Sequence, residues 1–169
     1  LQSMLHALAP IDITLAEATG SINDIIHDNT PSDKFITFFW GKISADGTTF
    51  DYVNAGHNNP LLFRKSEEEP EELDKGGVIL GAVPTMTPYN SASVDLRPGD
   101  LLVCYTDGVT EAMDPTQSEE YEEKRLIKCL NKNRKKSSKE IMNAIIDDIR
   151  NFSGGIQYDD ITLMVLKVN

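Results

Sequence analysis

Two apolar segments, each bordered by aspartates, constrain the fold of this 169-residue chain more than any other feature. Leu101 to Tyr105 is a continuous apolar run, typical of a strand buried on both faces. Ile161 to Val168 is almost as apolar, and we predict a second central strand there. Thr106-Asp107-Gly108 follows the first run, and Tyr158-Asp159-Asp160 precedes the second. If the two strands are antiparallel neighbours, these acids converge at one edge of a sheet.

Converging carboxylates have two physical outcomes. They raise one another's pKa, or a hard divalent cation neutralises them, and Mg²⁺ and Mn²⁺ prefer such oxygen ligands. The alternative is that each aspartate only shapes a turn, because Asp-Gly and Asp-Asp are common there. The spacing alone leaves both interpretations open.

The rest of the chain predicts further strands, further helices and an α+β fold. Helical periodicity predicts a helix over residues 1–8, ended by Pro10, and a second over 14–28, which a capping box of Thr14 and Glu17 starts. Two more helices are predicted to begin at Ser118 and at Ser137, the latter with a second capping box. Alternation and turn signals predict strands over residues 35–40, 49–53 and 61–63 as an antiparallel meander, a short strand or tight loop over 78–80, and a strand over 89–96.

The charge distribution excludes some partners and suggests others. The net charge of −11 argues against general nucleic-acid binding, which needs a basic footprint. Residues 124–139 nevertheless hold eight of the 16 basic residues and no acidic one. This stretch is either a solvated helix face that suits the helix dipole, or a docking patch for an acidic partner or phosphoprotein. No apolar run is long enough to span a bilayer, and the two separate cysteines fit a reducing cytoplasm.

Asn54-Ala55-Gly56-His57-Asn58 joins two predicted strands and is rich in polar side chains. It is either a turn in which Asn54 or His57 bonds nearby backbone, or part of a functional site. A single histidine does not establish a catalytic base.

An ordered set of motifs resembles a known family. The chain contains, in sequence, Tyr52 to Pro60 (YVNAGHNNP), Leu96 to Asp100 (LRPGD), Tyr105 to Ala112 (YTDGVTEA) and Asp159 to Thr162 (DDIT). Together they resemble the SpoIIE/RsbU-type serine phosphatases of the protein phosphatase 2C-like (PPM) superfamily, over essentially the whole chain.

The resemblance implies one phosphatase-like domain over residues 1–169, built as an α-β-β-α sandwich of two antiparallel sheets flanked by helices. It implies two Mn²⁺ or Mg²⁺ ions that promote direct hydrolysis of phosphoserine or phosphothreonine. Asp107 and Asp159 match metal ligands, and Asp160 is a second choice. Glu111 and His57 fall where the wider superfamily often has carboxylates of a weaker third metal site; we expect Glu111 as a further ligand and His57 as a phosphate contact or proton carrier.

The resemblance also implies partners. The substrate is expected to be a phosphorylated anti-sigma factor antagonist of a bacterial partner-switching pathway, and a sensory domain usually precedes the phosphatase. We expect a cytoplasmic domain, which an upstream segment could tether to a membrane.

Two departures from the family pattern matter. The family begins with a strand whose aspartate bridges both metals, and nothing here matches it, so we expect an N-terminally truncated domain with little activity alone. Its unpaired sheet edge would allow a homodimer. Glu122 also stands where the family usually has glycine after a tyrosine. The alternative function is a non-catalytic PPM-like regulatory or docking module.

Overall fold

The computed structural model describes residues 1–8 and 12–169, without the side chains of residues 6 and 7, and the chain forms two compact units. The first comprises Leu1–His57 and Leu73–Leu96, and the second comprises Asn58–Glu72 and Arg97–Asn169. The predicted helix end at Pro10 lies outside the described residues. A single domain over residues 1–169 stays a prediction.

The described residues form five helices and eight strands. In chain order these are α1 (Gln2–Leu8), α2 (Leu15–Asn29), β1 (Phe38–Ile43), β2 (Thr49–Ala55), β3 (Leu61–Phe63), β4 (Glu71–Glu72), β5 (Gly76–Gly77), β6 (Ala92–Asp95), β7 (Leu101–Tyr105), α3 (Asp107–Thr110), α4 (Glu122–Asn133), α5 (Ser138–Phe152) and β8 (Leu163–Lys167). The α+β class is therefore confirmed.

The sheet of the first unit is mixed. β2 pairs antiparallel with β1 and with β6, but it pairs parallel with the two-residue β5. The expectation of two purely antiparallel sheets is therefore wrong for this one, because the chain re-enters beside β2 through Gly76 and Gly77. Of the two alternatives for residues 78–80, the loop is present, with a single bridge at Leu80. A Cβ at Gly76 would lie 1.7 Å from the Asn54 carbonyl oxygen, so only glycine allows this approach.

The capping box at Thr14 starts α2 as predicted. The backbone N–H of Glu17 donates to Thr14 Oγ1 (3.2 Å), and the backbone N–H of Thr14 donates to Glu17 Oε2 (2.9 Å). Ile22 and Ile26 on the buried face of α2 pack in one core with Val53 of β2 and with Leu80. Apolar burial therefore fixes this helix on the first sheet.

The second sheet has the order β4-β3-β7-β8, and all its pairings are antiparallel. The predicted meander over residues 35–63 is therefore wrong in its third strand, because β3 pairs with β4 and β7 and not with β2. All three residues of β3 are buried. A strand without polar alternation suits an interior position in a sheet that is covered on both faces.

β8 is not a central strand. It pairs with β7 and stands last in the strand order of the part of the chain that the structure describes. Met164 is 53% exposed, so the apolar composition of this segment does not mean burial on both faces. Strand boundaries also moved elsewhere: β1 begins at Phe38, since residues 35–37 are exposed and Ile36 forms only an isolated bridge with Leu80.

Two helices form a core with the second sheet. Leu126 and Leu130 of α4 and Ile145 of α5 are fully buried and pack in one cluster with Val103 and Tyr105 of β7. The predicted capping box at Ser137 starts α5, with Glu140 as its partner. In the described ranges, 1–8 and 12–169, no helix is long and apolar enough to cross a membrane.

The start of α4 differs from the prediction. Ser118 does not open a helix, because its backbone N–H donates to Asp114 Oδ1 (2.7 Å) and closes a polar turn. The helix begins at Glu122, whose φ is +58°. That is the left-handed region, which favours glycine.

Candidate functional site

The pairing of β7 with β8 brings the two acidic motifs to one edge of the second sheet. Tyr105 stands opposite Leu163, and the backbone N–H of Thr106 donates to the Thr162 carbonyl (3.1 Å). Asp107 therefore follows β7 where residues 159 and 160 lead into β8. This is the juxtaposition that the two apolar runs predicted, although the motifs are far apart in sequence.

The Thr106 hydroxyl holds the two segments together. Thr106 Oγ1 donates to the Asp160 carbonyl (3.2 Å) and accepts from the backbone N–H of Thr162 (2.9 Å). A hydroxyl can donate and accept at once, which a methyl group in its place could not do. Thr106 is a positioning residue that was not among the predicted site residues, and its sequence signal is a threonine directly between a buried strand and an aspartate.

Gly108 permits the close approach of the two segments. A Cβ at this position would lie 2.5 Å from the Asp160 carbonyl oxygen and 3.5 Å from the Cβ of Asp159. The first distance is shorter than the non-bonded contacts that Cβ atoms make in proteins, so a side chain here would push the segments apart. Gly108 thus sets how near the backbone of Asp107 comes to the segment that carries Asp159.

The three aspartates are exposed, so their carboxylates face solvent. Asp107 Oδ1 accepts from the backbone N–H of Gly108 (3.0 Å), and Asp159 Oδ1 accepts from the backbone N–H of Asp160 (2.7 Å). These local bonds hold each carboxylate against its own backbone. The distance between the carboxylates of Asp107 and Asp159 stays a prediction, as does the role of Asp160 as the outer ligand.

Glu111 follows one helical turn after Asp107. Its backbone N–H donates to the Asp107 carbonyl (2.8 Å), which closes the short helix α3. The helical turn expected after Gly108 is therefore present. Glu111 is exposed, and its role as a further metal ligand stays a prediction.

Carboxylate oxygens are suitable ligands for Mn²⁺ or Mg²⁺, but few carboxylates lie together at this edge of the sheet. Among the described side chains (residues 1–5, 8 and 12–169), no three or more His, Cys, Asp or Glu form a group that could hold a metal ion. The chemistry of Asp107 and Asp159 fits the metal that the resemblance implies, whereas their number fits only part of a two-ion site.

The loop that contains His57 is built as a turn around Asn54. The buried Asn54 side chain accepts from the backbone N–H of His57 (2.8 Å) and donates to the carbonyls of His57 (3.0 Å) and Leu73 (3.2 Å). Thr37 Oγ1 lies 3.2 Å from His57 Nδ1. The interpretation of Asn54 as a residue that bonds nearby backbone is confirmed. His57 belongs to the first unit and the acids to the second, and its catalytic role stays a prediction.

The Arg-Pro-Gly-Asp motif is structural. Asp100 is 2% exposed, and its carboxylate accepts from Arg64 Nη1 (2.8 Å) and from the backbone N–H of Arg97 (3.1 Å). Gly99 has a φ of +96°, which a turn with this backbone requires. The motif therefore orients the start of β7, the strand that carries Asp107.

Two buried tyrosines of the second unit donate to carboxylates on its helices. Burial raises the pKa of Tyr105, and its hydroxyl donates to Glu123 Oε2 (2.5 Å). Burial likewise raises the pKa of Tyr121, whose hydroxyl donates to Asp148 Oδ2 (2.6 Å). Both phenols therefore stay protonated: Tyr105 ties β7 to α4, and Tyr121, directly before α4, is tied to α5.

Two relatives of known name match much of the sequence. Protein IcfG of Synechocystis sp. (strain PCC 6803) is 35% identical over 136 residues, which are 80% of this chain and 21% of that protein. The phosphoserine phosphatase RsbU of Bacillus subtilis is 26% identical over 163 residues, 96% of this chain and 48% of that protein. The chain thus spans half or less of the length of these relatives.

Solved structures share the fold. The SiaA-PP2C domain of Pseudomonas aeruginosa matches with a TM-score of 0.81 at 16% identity, covering 99% of this chain and 67% of that one. The catalytic domain of the serine threonine protein phosphatase PstP, solved with 2 manganese ions, matches with a TM-score of 0.65 at 15% identity, covering 97% and 78%. At such identities the likeness shows the fold alone.

The family model for stage II sporulation protein E matches residues 1–169. The predicted resemblance is confirmed by this match and by the relative RsbU. This chain therefore belongs to the SpoIIE family, whose structural neighbours have the PP2C-type fold.

Proposed function

We propose that this chain is the catalytic region of a metal-dependent phosphoserine/phosphothreonine protein phosphatase. The observation that carries the proposal is the junction of β7 and β8, where Thr106 and Gly108 place Asp107 beside the segment of Asp159 and Asp160. Membership of the SpoIIE family and the phosphoserine phosphatase activity in the name of RsbU support it. The manganese-bound PstP domain of the same fold supports the use of a divalent ion.

In this proposal Asp107 and Asp159 hold Mn²⁺ or Mg²⁺, with Asp160 and Glu111 as further ligands. The bound ions would supply positive charge to the phosphoryl group and lower the pKa of water. The protein residues do the positioning: Thr106 and Gly108 fix the spacing of the acid-bearing segments, and the Asn54 turn presents His57 to act as a phosphate contact or proton carrier. No residue here needs to form a covalent phosphoenzyme.

The finer assignments follow from the resemblance. The substrate would be a phosphorylated anti-sigma factor antagonist, and a sensory domain in the same polypeptide would control access to it. The reaction would take place in the cytoplasm.

A second candidate function is a non-catalytic regulatory or docking module. The observation that favours it is the lack of a group of three metal-ligating side chains among those that the structure describes. Two ions held close together need more fixed carboxylates than Asp107, Asp159 and Asp160 provide.

Hydrolysis of a phosphoserine peptide with Mn²⁺ tests the proposal, using both this chain and the full-length natural protein. We expect little turnover by the chain, because its donor set is incomplete, and Mn²⁺-dependent turnover by the full-length protein. There Asp107→Asn and Asp159→Asn should each lower kcat by about 100-fold or more, as for loss of a group that stabilises transition-state charge. Asp51→Asn, an exposed acid on β2, is the matched control and should leave kcat unchanged.

Three results separate the candidates. Inactivity of the full-length protein with both Mn²⁺ and Mg²⁺ would favour the docking module. Full activity of the chain alone would show that its own carboxylates suffice. Unchanged turnover in Asp107→Asn would remove that residue from the mechanism.

A further inference from the structure

A groove of about 590 Å³ lies between α4 and α5 of the second unit. None of the aspartates of the candidate phosphatase site lines it. Its volume falls within the range of sites that enclose small ligands or peptide side chains. The groove therefore requires an explanation separate from the acids at the β7–β8 edge.

One wall of the groove is a row of cations. Arg125, Lys128, Lys132 and Lys136 all line it, at spacings of three and four residues. Such spacing places Arg125, Lys128 and Lys132 on one face of α4 over about 10 Å at helical rise, and Lys136 lies in the turn that follows the helix. Helix-dipole stabilisation is confined to the last turn of a helix, so it does not account for a row of this length.

The lysines of this row form no close ion pair with a described side chain. No ion pair between side chains of residues 1–5, 8 and 12–169 includes Lys128, Lys132 or Lys136, and Lys136 acts on Glu140 only at longer range. Arg125 differs, because it pairs with Glu119 (3.0 Å) and lies 4.6 Å from the centre of the Phe152 ring. The three lysines are thus available to an external anion.

The lining of the groove is partly apolar. Cys129, Ala144 and Phe152 contribute to it, and α5 adds the carboxylates of Asp147 and Asp148. Asp148 already accepts the Tyr121 hydroxyl (2.6 Å). A ligand that fits would carry negative charges along one edge and apolar side chains beside them.

We propose that this groove binds an acidic, amphipathic segment of a partner protein. Carboxylates of the segment would pair with Lys128, Lys132 and Lys136, and its apolar side chains would cover Ala144 and Phe152. Outside residues 124–139 the chain has eight basic and 27 acidic residues, so an acidic partner is repelled elsewhere and guided to this groove. The net charge of −11 disfavours a second copy of the chain or a nucleic acid as the occupant. The proposal does not depend on phosphatase activity.

Fluorescence anisotropy with a defined probe tests the proposal. The probe is a labelled helical peptide of about three turns with glutamates along one edge and leucines on the adjoining face. We expect saturable binding that weakens as salt is added, because the contacts are partly ionic. Lys128→Glu with Lys132→Glu should weaken binding about tenfold or more, as expected for several lost and reversed ion pairs.

Matched controls separate binding in the groove from general attraction between charges. Lys135→Glu with Lys139→Glu makes the same change of charge in the same basic stretch but outside the groove lining, and it should change affinity less than threefold. A peptide of the same composition with glutamates and leucines interspersed should bind more weakly than the probe. Urea unfolding of each variant confirms that the fold is retained.

Several outcomes overturn the proposal. Equal loss of binding in both double variants would mean attraction by net charge without a groove. Absence of binding at millimolar peptide would remove the site. Dimerisation that Lys128→Glu with Lys132→Glu abolishes would assign the groove to a second copy, and preference for RNA over the peptide would assign it to nucleic acid.

Discussion

Glu122 adopts a backbone conformation that costs stability, and its replacement by glycine should recover it. Its φ of +58° lies in the left-handed region at the first residue of α4. A Cβ in that conformation approaches the following carbonyl oxygen and costs about 1–2 kcal/mol. Glycine has no Cβ and escapes this cost, which explains physically why the family pattern has glycine here.

The magnitude is cleanest as a comparison between Glu122→Gly and Glu122→Ala. Both variants lose the carboxylate, so any helix-dipole contribution cancels. Alanine retains the left-handed cost, while glycine loses about 0.4–1 kcal/mol to the greater freedom of its unfolded state. Glu122→Gly should therefore be about 1 kcal/mol more stable than Glu122→Ala. At the exposed helical position Lys124 the order should reverse, with Lys124→Gly about 1 kcal/mol less stable than Lys124→Ala.

Urea unfolding of the four variants measures these differences, and thermal unfolding should show Tm shifts of about 2–4 °C per kcal/mol in a chain of this size. The opposite signs at the two positions are the essential result. If alanine is as stable as glycine or more stable at position 122, then Glu122 is not strained and the explanation is wrong.

Four further positions, in or directly beside β7, are tested by substitution or by chemical labelling. Thr106→Val should lower the free energy of unfolding by about 0.5–1.5 kcal/mol, since its hydroxyl bonds to the exposed segment of Asp160 and Thr162 are lost; Thr106→Ser, which keeps the hydroxyl, should lose less. Gly108→Ala should cost about 1–3 kcal/mol, because its Cβ position is 2.5 Å from a carbonyl oxygen. Asp100→Ala should cost about 3 kcal/mol by leaving the Arg64 guanidinium without its buried partner, read from urea midpoints. Burial raises the pKa of Cys104 to about 11, so iodoacetamide at pH 8 should label it slowly in the folded chain and rapidly in urea; equal rates would contradict its burial.

Local signals in the sequence predicted much of this fold. The unbroken apolar run from Leu101 to Tyr105 identified β7, since only a doubly covered strand needs no polar alternation. The Thr14 and Ser137 capping boxes located the starts of α2 and α5, because the bonds involved span only three residues. The meeting of the Asp107 and Asp159 segments followed from the antiparallel pairing of the two apolar segments, although β8 stands last in the described strand order.

Long-range choices were not predictable in this way. No residue pattern near Leu61–Phe63 indicates that β3 leaves the sheet of β2 and pairs with β7, about 40 residues later in the chain. Ser118 matches the pattern of a helix N-cap, but its backbone N–H donates to the Asp114 carboxylate and closes a turn instead. Thr106 gave no signal of its role, because its partners come from the segment that precedes β8.

The central claim is that Asp107 and Asp159 bind one divalent ion, and Mn²⁺ titration of the chain followed by amide NMR tests it most directly. Paramagnetic broadening reports which backbone amides lie near the ion and needs no catalytic activity. We expect the amides of Gly108 and Asp160 to broaden together at the same Mn²⁺ concentration, and Asp107→Asn to remove both effects. Broadening of only one of the two segments, or of the acidic residues 67–74 alone, would contradict a shared site.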